Sequence, residues 1–335
     1  MKLSFAPIIL MCAMVIGACK SSKTTVDAEA SAIDSTRICA VKFNADSAFA
    51  FVKAQCDFGP RVPNSAAIDK CGDYIASKFE SYGMTITNQR TTVTGWDGTA
   101  LRCRNIIAAY RPEATERVII CTHYDSRPWA DADPDETKHR EPVMAANDGA
   151  SGVGVMLEMA RIMSELNPKV GVDFICFDAE DYGTPDWAPQ EAQNVSGDSW
   201  CLGSQYWSAH PHVEGYAARY GILLDMVGGR GSTFSFEGFS KKYAQSIVIR
   251  TWEAARYADA ADYFPNSDGG YITDDHVPMN TVAMIPTIDI IPFWTDGNST
   301  FGPTWHTTHD TIENIDPAVL RAVGQTLVQL LSEEE

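Results

Sequence analysis

The sequence predicts an α/β fold of three layers, with helices on both faces of a central mixed, mainly parallel sheet. Three observations predict it. Strand-length apolar runs alternate with stretches of helical period, so that Val118–Cys121, the segment from Asn147 to Leu166 and Val172–Phe177 read as strand, helix, strand. The runs are nearly continuous in Val, Ile, Leu and Phe, as strands buried on both faces are. Several of them then stop on acids. Val172-Asp-Phe-Ile-Cys-Phe-Asp-Ala-Glu-Asp-Tyr-Gly183 turns from apolar residues to three acids within four positions, and Tyr220-Gly-Ile-Leu-Leu-Asp225 repeats the theme. Ligands of open α/β sheets collect just beyond the carboxyl ends of the strands, which is where Glu180 and Asp181 stand. An isolated Glu-Asp pair is ordinarily a solvated turn; its companions elsewhere in the chain argue otherwise.

At 335 residues and 45% hydrophobic content the chain can bury a large core, and residues 35–335 read as one domain. A net charge of −18 with no basic run beyond the extreme amino terminus excludes nucleic acid and a bare anionic membrane surface as partners. Residues 1–18 carry Lys2, an apolar run from Leu3 to Ile16, and Gly17-Ala18 before Cys19. That is an export signal, too short to span a membrane. Ile-Gly-Ala-Cys resembles the lipobox of bacterial lipoproteins, which makes Cys19 the lipidated first residue and residues 19–34 a flexible tether. Simple secretion with cleavage nearby is the alternative. The expectation is an exported monomer anchored by lipid in the bacterial cell envelope, and the Lys-Ser-Ser-Lys after Cys19, free of acids, favours the periplasmic side. Of nine cysteines, those at 12 and 19 fall in this leader, leaving an odd seven. Cys56 and Cys71 bracket the turn-rich Gly59-Pro-Arg-Val-Pro-Asn64, which a disulfide between them could staple. Cys121 and Cys176 lie inside strands and are expected to act as small buried hydrophobes.

In order along the chain, helical spacing runs over 46–56 and 68–82, the second stopping at Gly83. Met84–Trp96 alternates as a strand, and strands follow at Asn105–Tyr110 and Val118–Cys121. His123-Tyr-Asp-Ser126 sits at the carboxyl end of the last. The loop from Arg127 to Ala146 is long enough to mark a functional or inserted segment. Its Asp131, Asp133 and Asp135 fail the calcium-loop pattern, with Glu136 in place of Gly and Pro142 at the last ligand position, and read as solvated. Asp148-Gly-Ala-Ser-Gly152 opens a helix, where Asp148 is either an N-cap or something more. A Trp- and Ser-rich loop (Trp187, Trp200, Trp207) leads to the strand ending on Asp225. A helix over 241–258, the apolar run Val282–Phe293 and an amphipathic helix Pro317–Leu331 complete the chain.

His123, Asp148, Glu180, Asp181, Asp225 and His306 share one property: each lies at a strand end or a helix start. A parallel core brings such positions to one rim. Two imidazoles and several carboxylates, without a thiolate beside them, suit a catalytic zinc site that keeps an open position.

His-x-Asp at 123–125, Asp-Gly-Ala-Ser-Gly at 148–152, Glu-Asp at 180–181, Leu-Asp at 224–225 and His-Thr-x-x-Asp at 306–310 together resemble the zinc-dependent aminopeptidase superfamily known as M28. Phe58-Gly-Pro-Arg-Val-Pro63, His123-Tyr-Asp-Ser126, Trp187, Asp274-Asp-His-Val-Pro278 and Trp305-His-Thr307 are similar to its glutaminyl cyclase branch. The likeness runs from about residue 40 to the end. It implies the fold of the zinc aminopeptidases and one Zn2+ per chain, held by Asp148, Asp181 and His306. Glu180 would be the general acid and base, with Asp274 in hydrogen-bond reach. Trp187, Phe301 and Trp305 would wall a pocket for an amino-terminal Gln, with Ile272 beneath, and the substrates would be peptides and exported proteins that begin with Gln. His123 and Asp225 match the remaining ligands of the two-zinc aminopeptidases, so a peptidase with Asp148 bridging two ions is the alternative. A binding protein that has lost catalysis is a third reading, against which Glu180 stands. Asp181 replaces a Glu common among relatives, which draws the metal towards the main chain. The Asp181–Trp187 spacing is one residue longer than in animal cyclases. Val153 stands where the family's disulfide would have its second Cys, which leaves Cys121 a free thiol.

Overall fold

A computed structural model describes residues 33–193, 199–297 and 299–334. The expected signal segment, the Cys19 anchor and the tether as far as residue 32 lie outside the described residues. Asn44 accepts from the Ser47 amide and so starts α1 (Ala45–Cys56); Ser65 does the same for Ile68 at the head of α2 (Ala66–Ser81). Ile68, Cys71, Ile75 and Phe79 recur on one face of α2 and are all buried. β1 (Thr85–Thr94) and β2 (Ala100–Tyr110) then form a hairpin in register from Thr85↔Ala109 to Thr94↔Ala100. The second strand begins five residues before the apolar run at Asn105, because hairpin pairing carries it through polar Arg102 and Arg104.

The parallel core comes next: β3 (Arg117–His123), α3 (Ala150–Leu166) and β4 (Gly171–Phe177) make the expected strand–helix–strand unit. Two helices that periodicity did not reveal, α4 (Gln190–Gln193) and α5 (Leu202–Ala209), lie in the Trp-rich stretch. They are too short to print a helical repeat on the sequence. Beyond them lie β5 (Gly221–Leu224), α6 (Gly238–Tyr257), a further short helix α7 (His276–Thr281), β6 (Thr287–Ile290) and α8 (Pro317–Ser332). Within the run Val282–Phe293 only Thr287–Ile290 pairs as a strand, between Pro286 and Pro292.

The six strands form one sheet in the order β1-β2-β4-β3-β5-β6. β4, β3, β5 and β6 are mutually parallel, and β2 runs against both of its neighbours. Alternate residues of each central strand face opposite layers. Val172, Phe174 and Cys176 pack under α1, α2, α3, α6 and α8, whereas Ile175 and Phe177 face Trp207 of α5 and Met279 of α7. The sandwich thus has three layers. Asp173 is tolerated inside β4 because Arg117 binds both its oxygens at 2.5 and 2.6 Å, which offsets the cost of burying its charge. Asp34–Glu335 form one compact unit, and among the described residues no helix is long and apolar enough to cross a membrane.

Cys56 and Cys71 are both free thiols, which corrects the expected bridge. The turn they bracket is stapled another way. Arg61, fully buried, donates to the carbonyls of Tyr124, Met144 and Ala145 at 3.1, 2.7 and 2.7 Å, tying residues 59–64 to two loops at once. Cys71 packs into the core as an apolar residue, and burial pushes its thiol up to about 12. Cys121 and Cys176 are buried thiols, as expected.

Candidate active site

Register sets the rim. His123 closes β3 beside Phe177, the last residue of β4, so the two segments leaving these strands emerge side by side. After Phe177 the chain bends through Ala179, at φ 54°, and delivers Glu180 and Asp181. Their amides donate to the two oxygens of Asp125, each at 3.1 Å, so one carboxylate from the β3 end orients both acids of the β4 end. Asp225 comes directly after β5. Asp148 precedes α3, whose N-cap is Gly149 without a side-chain cap, so Asp148 is no capping residue. Its amide and that of Asn147 donate to Asp310 at 3.0 and 2.8 Å, and its Oδ1 lies 3.0 Å from His123 Nε2. Gly149 permits that approach, because a Cβ there would stand 2.4 Å from the His123 carbonyl.

Asp148, Asp181 and His306 present ligand atoms within 4.8 Å of one another. His306 Nε2 lies 3.2 Å from Asp181 Oδ1 and 3.7 Å from Asp148 Oδ2, and Asp181 Oδ2 is buried without a hydrogen-bond partner. One nitrogen and two carboxylate donors, with an orphaned oxygen among them, fit a zinc ion that retains an open position. Burial, reinforced by Arg127, holds the His306 pKa well down, so the ring is in the neutral form that coordinates. The ring is clamped between Trp305, stacked at 3.7 Å, and Trp200, parallel at 6.0 Å.

His123, Asp148 and Asp225 form a second cluster that shares Asp148 with the first. Here His123 Nε2 itself sits 3.0 Å from Asp148 and 3.3 Å from Asp225. Burial alone would drive the His123 pKa down, but hydrogen bonds with Asp125, Asp148 and Asp225 outweigh it and raise it well above the ordinary value.

Glu180 lies at the mouth, partly exposed, within 4.8 Å of Cys201 and Asp274. Lost hydration, then Asp181, Asp274 and Asp275, push its pKa well up against the pull of His123. A hollow of about 60 Å³ collects Asp148, Glu180, Asp181, Asp225, Asp274 and His306 under Ile272, Phe301, Trp305 and Trp200. Ile272 packs with Met226 and Ile291 beneath Phe301 and Trp305, as a pocket floor should.

Two expectations need correcting here. Trp187 does not line the hollow; it packs on Trp96 and Trp129, both at 5.8 Å, with Arg140 stacked 3.3 Å over its ring. The wall it was expected to form is Trp200, which returns to the rim just ahead of α5. Asp131 and Asp133 are buried rather than solvated. Asp131 pairs with Arg127, and Asp133 accepts from the Thr308 amide and hydroxyl at 2.9 and 2.6 Å, holding the chain just after His306.

A model of peptidase family M28 matches residues 105–331. The chain belongs to peptidase family M28. Within this zinc-dependent family it is similar to the glutaminyl cyclase of Bacteroides thetaiotaomicron, whose structure was solved bound to N-acetylhistamine: 49% identity, TM-score 0.85, 88% of this chain and 99% of that one. It is also similar to aminopeptidase YwaD of Bacillus subtilis (strain 168), at 27% identity over 82% of this chain and 54% of that protein. Bos taurus glutaminyl-peptide cyclotransferase matches at 27% identity over 67% of this chain and 64% of its own length. The chain thus spans under two thirds of either curated relative. The M28 fold accounts for the sheet order and for a rim assembled from segments scattered along the chain. Trp200, Asp125, Arg127, Asp131 and Cys201 are the rim residues that spacing alone did not single out. Asp125 follows a strand as Asp225 does, a signal that could have found it, but Trp200 and Cys201 come after a stretch with no periodic signal.

Proposed function

We propose that this protein is a glutaminyl-peptide cyclotransferase, converting amino-terminal Gln of peptides and proteins to pyroglutamate with release of ammonia. The observation that carries the reading is the aromatic hollow itself: Trp200, Trp305, Phe301 and Ile272 enclose Glu180 beside the Asp148–Asp181–His306 donors. The near full-length likeness to a bacterial glutaminyl cyclase supports it.

In this reaction the substrate's own α-amine attacks its γ-carbonyl, a five-membered ring closes and the amide nitrogen leaves as ammonia. The nucleophile is tethered, and well-oriented intramolecular attack is worth about 7 to 11 kcal/mol, so no water has to be activated. A zinc ion bound by Asp148, Asp181 and His306, one per chain, would supply Lewis-acid polarisation of the γ-carbonyl. Glu180 takes the proton from the attacking amine and returns it to the departing nitrogen; burial, and then the acids around it, raise its pKa above that of an ordinary carboxylate, which favours taking up the proton. Asp274, within 4.8 Å of Glu180, is one of the acids that raise its pKa. The aromatic walls exclude water and favour the uncharged amine, the form able to attack.

A second reading, a two-zinc aminopeptidase, has the shared Asp148 and the His123–Asp148–Asp225 cluster in its favour. The aromatic enclosure of Glu180, with Asp274 beside it, weighs against it. In the cell, Cys19 would carry a lipid anchor and hold the enzyme at the envelope, facing exported proteins and peptides that begin with Gln. The deciding experiment incubates the zinc-loaded protein with a Gln-initiated peptide. The expected result is a mass loss of one ammonia with the peptide chain intact; release of free Gln instead would establish the peptidase.

A further inference from the structure

Cys201 touches Glu180 twice. Its amide donates to the Glu180 carbonyl at 2.9 Å, and its thiol stands 3.3 Å from Glu180 Oε1, an S–H···O contact inside the 4.8 Å cluster with Asp274. Among the described residues it is this bond that fixes the Glu180 carboxylate. The surrounding backbone holds the thiol there. Cys201 precedes α5 at φ 57° and ψ 32°, a left-handed conformation that glycine adopts most readily, yet the position carries a side chain. Ser204 Oγ lies 3.0 Å from the Cys201 carbonyl and 2.5 Å from Asp275 Oδ1, so the same turn is tied to the segment bearing Asp274. Cys201 is only 2% exposed, so water does not compete for the contact. Burial and the neighbouring acids keep the thiol protonated, which makes it a donor and a poor nucleophile.

We infer that Cys201 is a positioning residue for the cyclisation: its S–H···O hydrogen bond aims the Glu180 carboxylate at the substrate nitrogens. Without it, a Glu side chain with three rotatable bonds would swing in a hollow whose other acids repel it. The inference rests on Glu180 being the proton shuttle, and the experiment separates the two.

Zinc-loaded full-length Cys201→Ala, Cys201→Ser and Glu180→Gln are assayed beside the wild type on a Gln-initiated peptide. Cys201→Ala should lower kcat by about fivefold, the worth of one ordinary hydrogen bond, with KM unchanged. Cys201→Ser, which restores a donor, should recover most of the loss. A role in packing alone would not distinguish Ser from Ala in kcat. The folded state supplies a second measurement: the S–H stretching band, which falls where other protein groups do not absorb, should shift between wild type and Glu180→Ala. Cys201→Ala with undiminished kcat, Cys201→Ser as slow as Cys201→Ala, or an S–H band indifferent to Glu180 would each overturn the inference. Undiminished activity of Glu180→Gln would instead remove the shuttle, and the inference with it.

Discussion

Arg127 and Asp131 form a bidentate ion pair, Nε to Oδ1 at 2.7 Å and Nη2 to Oδ2 at 2.6 Å, with both residues buried. The pair touches two of the three candidate metal ligands: Arg127 reaches Asp181 Oδ1 at 3.3 Å, and Asp131 lies 3.6 Å from His306 Nδ1. A carboxylate facing Nδ1 favours the tautomer with its proton there and leaves Nε2 free to coordinate. Trp200 and Trp129 stack on the guanidinium at 4.7 and 5.4 Å, so the pair also seats the pocket wall.

Replacing Asp131 with Ala strands a buried guanidinium, and the loss of stability should be about 3 to 5 kcal/mol. Zinc affinity should fall by roughly 10- to 100-fold as His306 loses its orienting partner. Urea unfolding and zinc competition against a chromophoric chelator read the two effects separately.

The exchange of Trp187 for Trp200 makes a pair of opposite expectations. Trp200→Ala opens the hollow and should lower kcat/KM by about tenfold or more, a loss of activity larger than its loss of packing on Arg127 and His306 would cause through stability alone. Trp187→Ala removes the centre of the Trp96–Trp129 cluster and should cost about 2 kcal/mol of stability at little loss of kcat/KM. Kinetics and thermal melts on the two variants decide which tryptophan faces the substrate.

Most of this architecture was legible in the sequence because its signals are local. Val172–Phe177 and Tyr220–Leu224 announce buried strands by composition, and a parallel strand that ends on an acid places that acid at the rim whatever its neighbours do. Asp181 reaches the rim by that rule, whereas Asp148 at the head of α3 and His306 in a loop that does not directly follow a strand were grouped with it by family resemblance; the three present ligand atoms within 4.8 Å of one another. What was missed depends on tertiary reach. A Trp in an irregular segment gives no sign of which way it will face, so 187 and 200 were indistinguishable on pattern. Arg61 replaces a disulfide by three carbonyl contacts that exist only once two loops have docked. Asp131 and Asp133 read as solvated because their partners, Arg127 and the backbone of Thr308, meet them only in the folded chain.

Removing the metal should be visible in stability as well as in turnover. Asp148, Asp181 and His306 are buried donors with few other partners, and an ion that binds only the folded chain stabilises it by about 2.7 kcal/mol when present at 100 times its Kd. Dialysis against a chelator should abolish ammonia release and lower Tm, and one equivalent of zinc should restore both. A requirement for two equivalents would return His123 and Asp225 to the role of ligands.

Glu237 gives the fold an acid-labile joint. Its carboxylate accepts from the Phe239 and Ser240 amides at the head of α6 and from the Ile272 amide in the pocket floor, and it lies 3.0 Å from His276 Nε2. Burial would raise its pKa, but His276 and those amides outweigh burial and hold it at about 2, below the ordinary 4.5. The folded state therefore binds this proton less readily than the unfolded chain does. The resulting stabilisation, on the order of 3 kcal/mol, is complete above pH 4.5 and fades as the pH falls towards 2. Glu237→Gln should be less stable at pH 7 and should show a flatter loss of stability between pH 4.5 and 2 than the wild type. Urea unfolding at several pH values measures both slopes; equal slopes in the two proteins would mean that the carboxylate contributes nothing in its charged form. Because the same residue anchors Ile272, the variant should also raise KM at pH 7, where protonation of Glu237 plays no part.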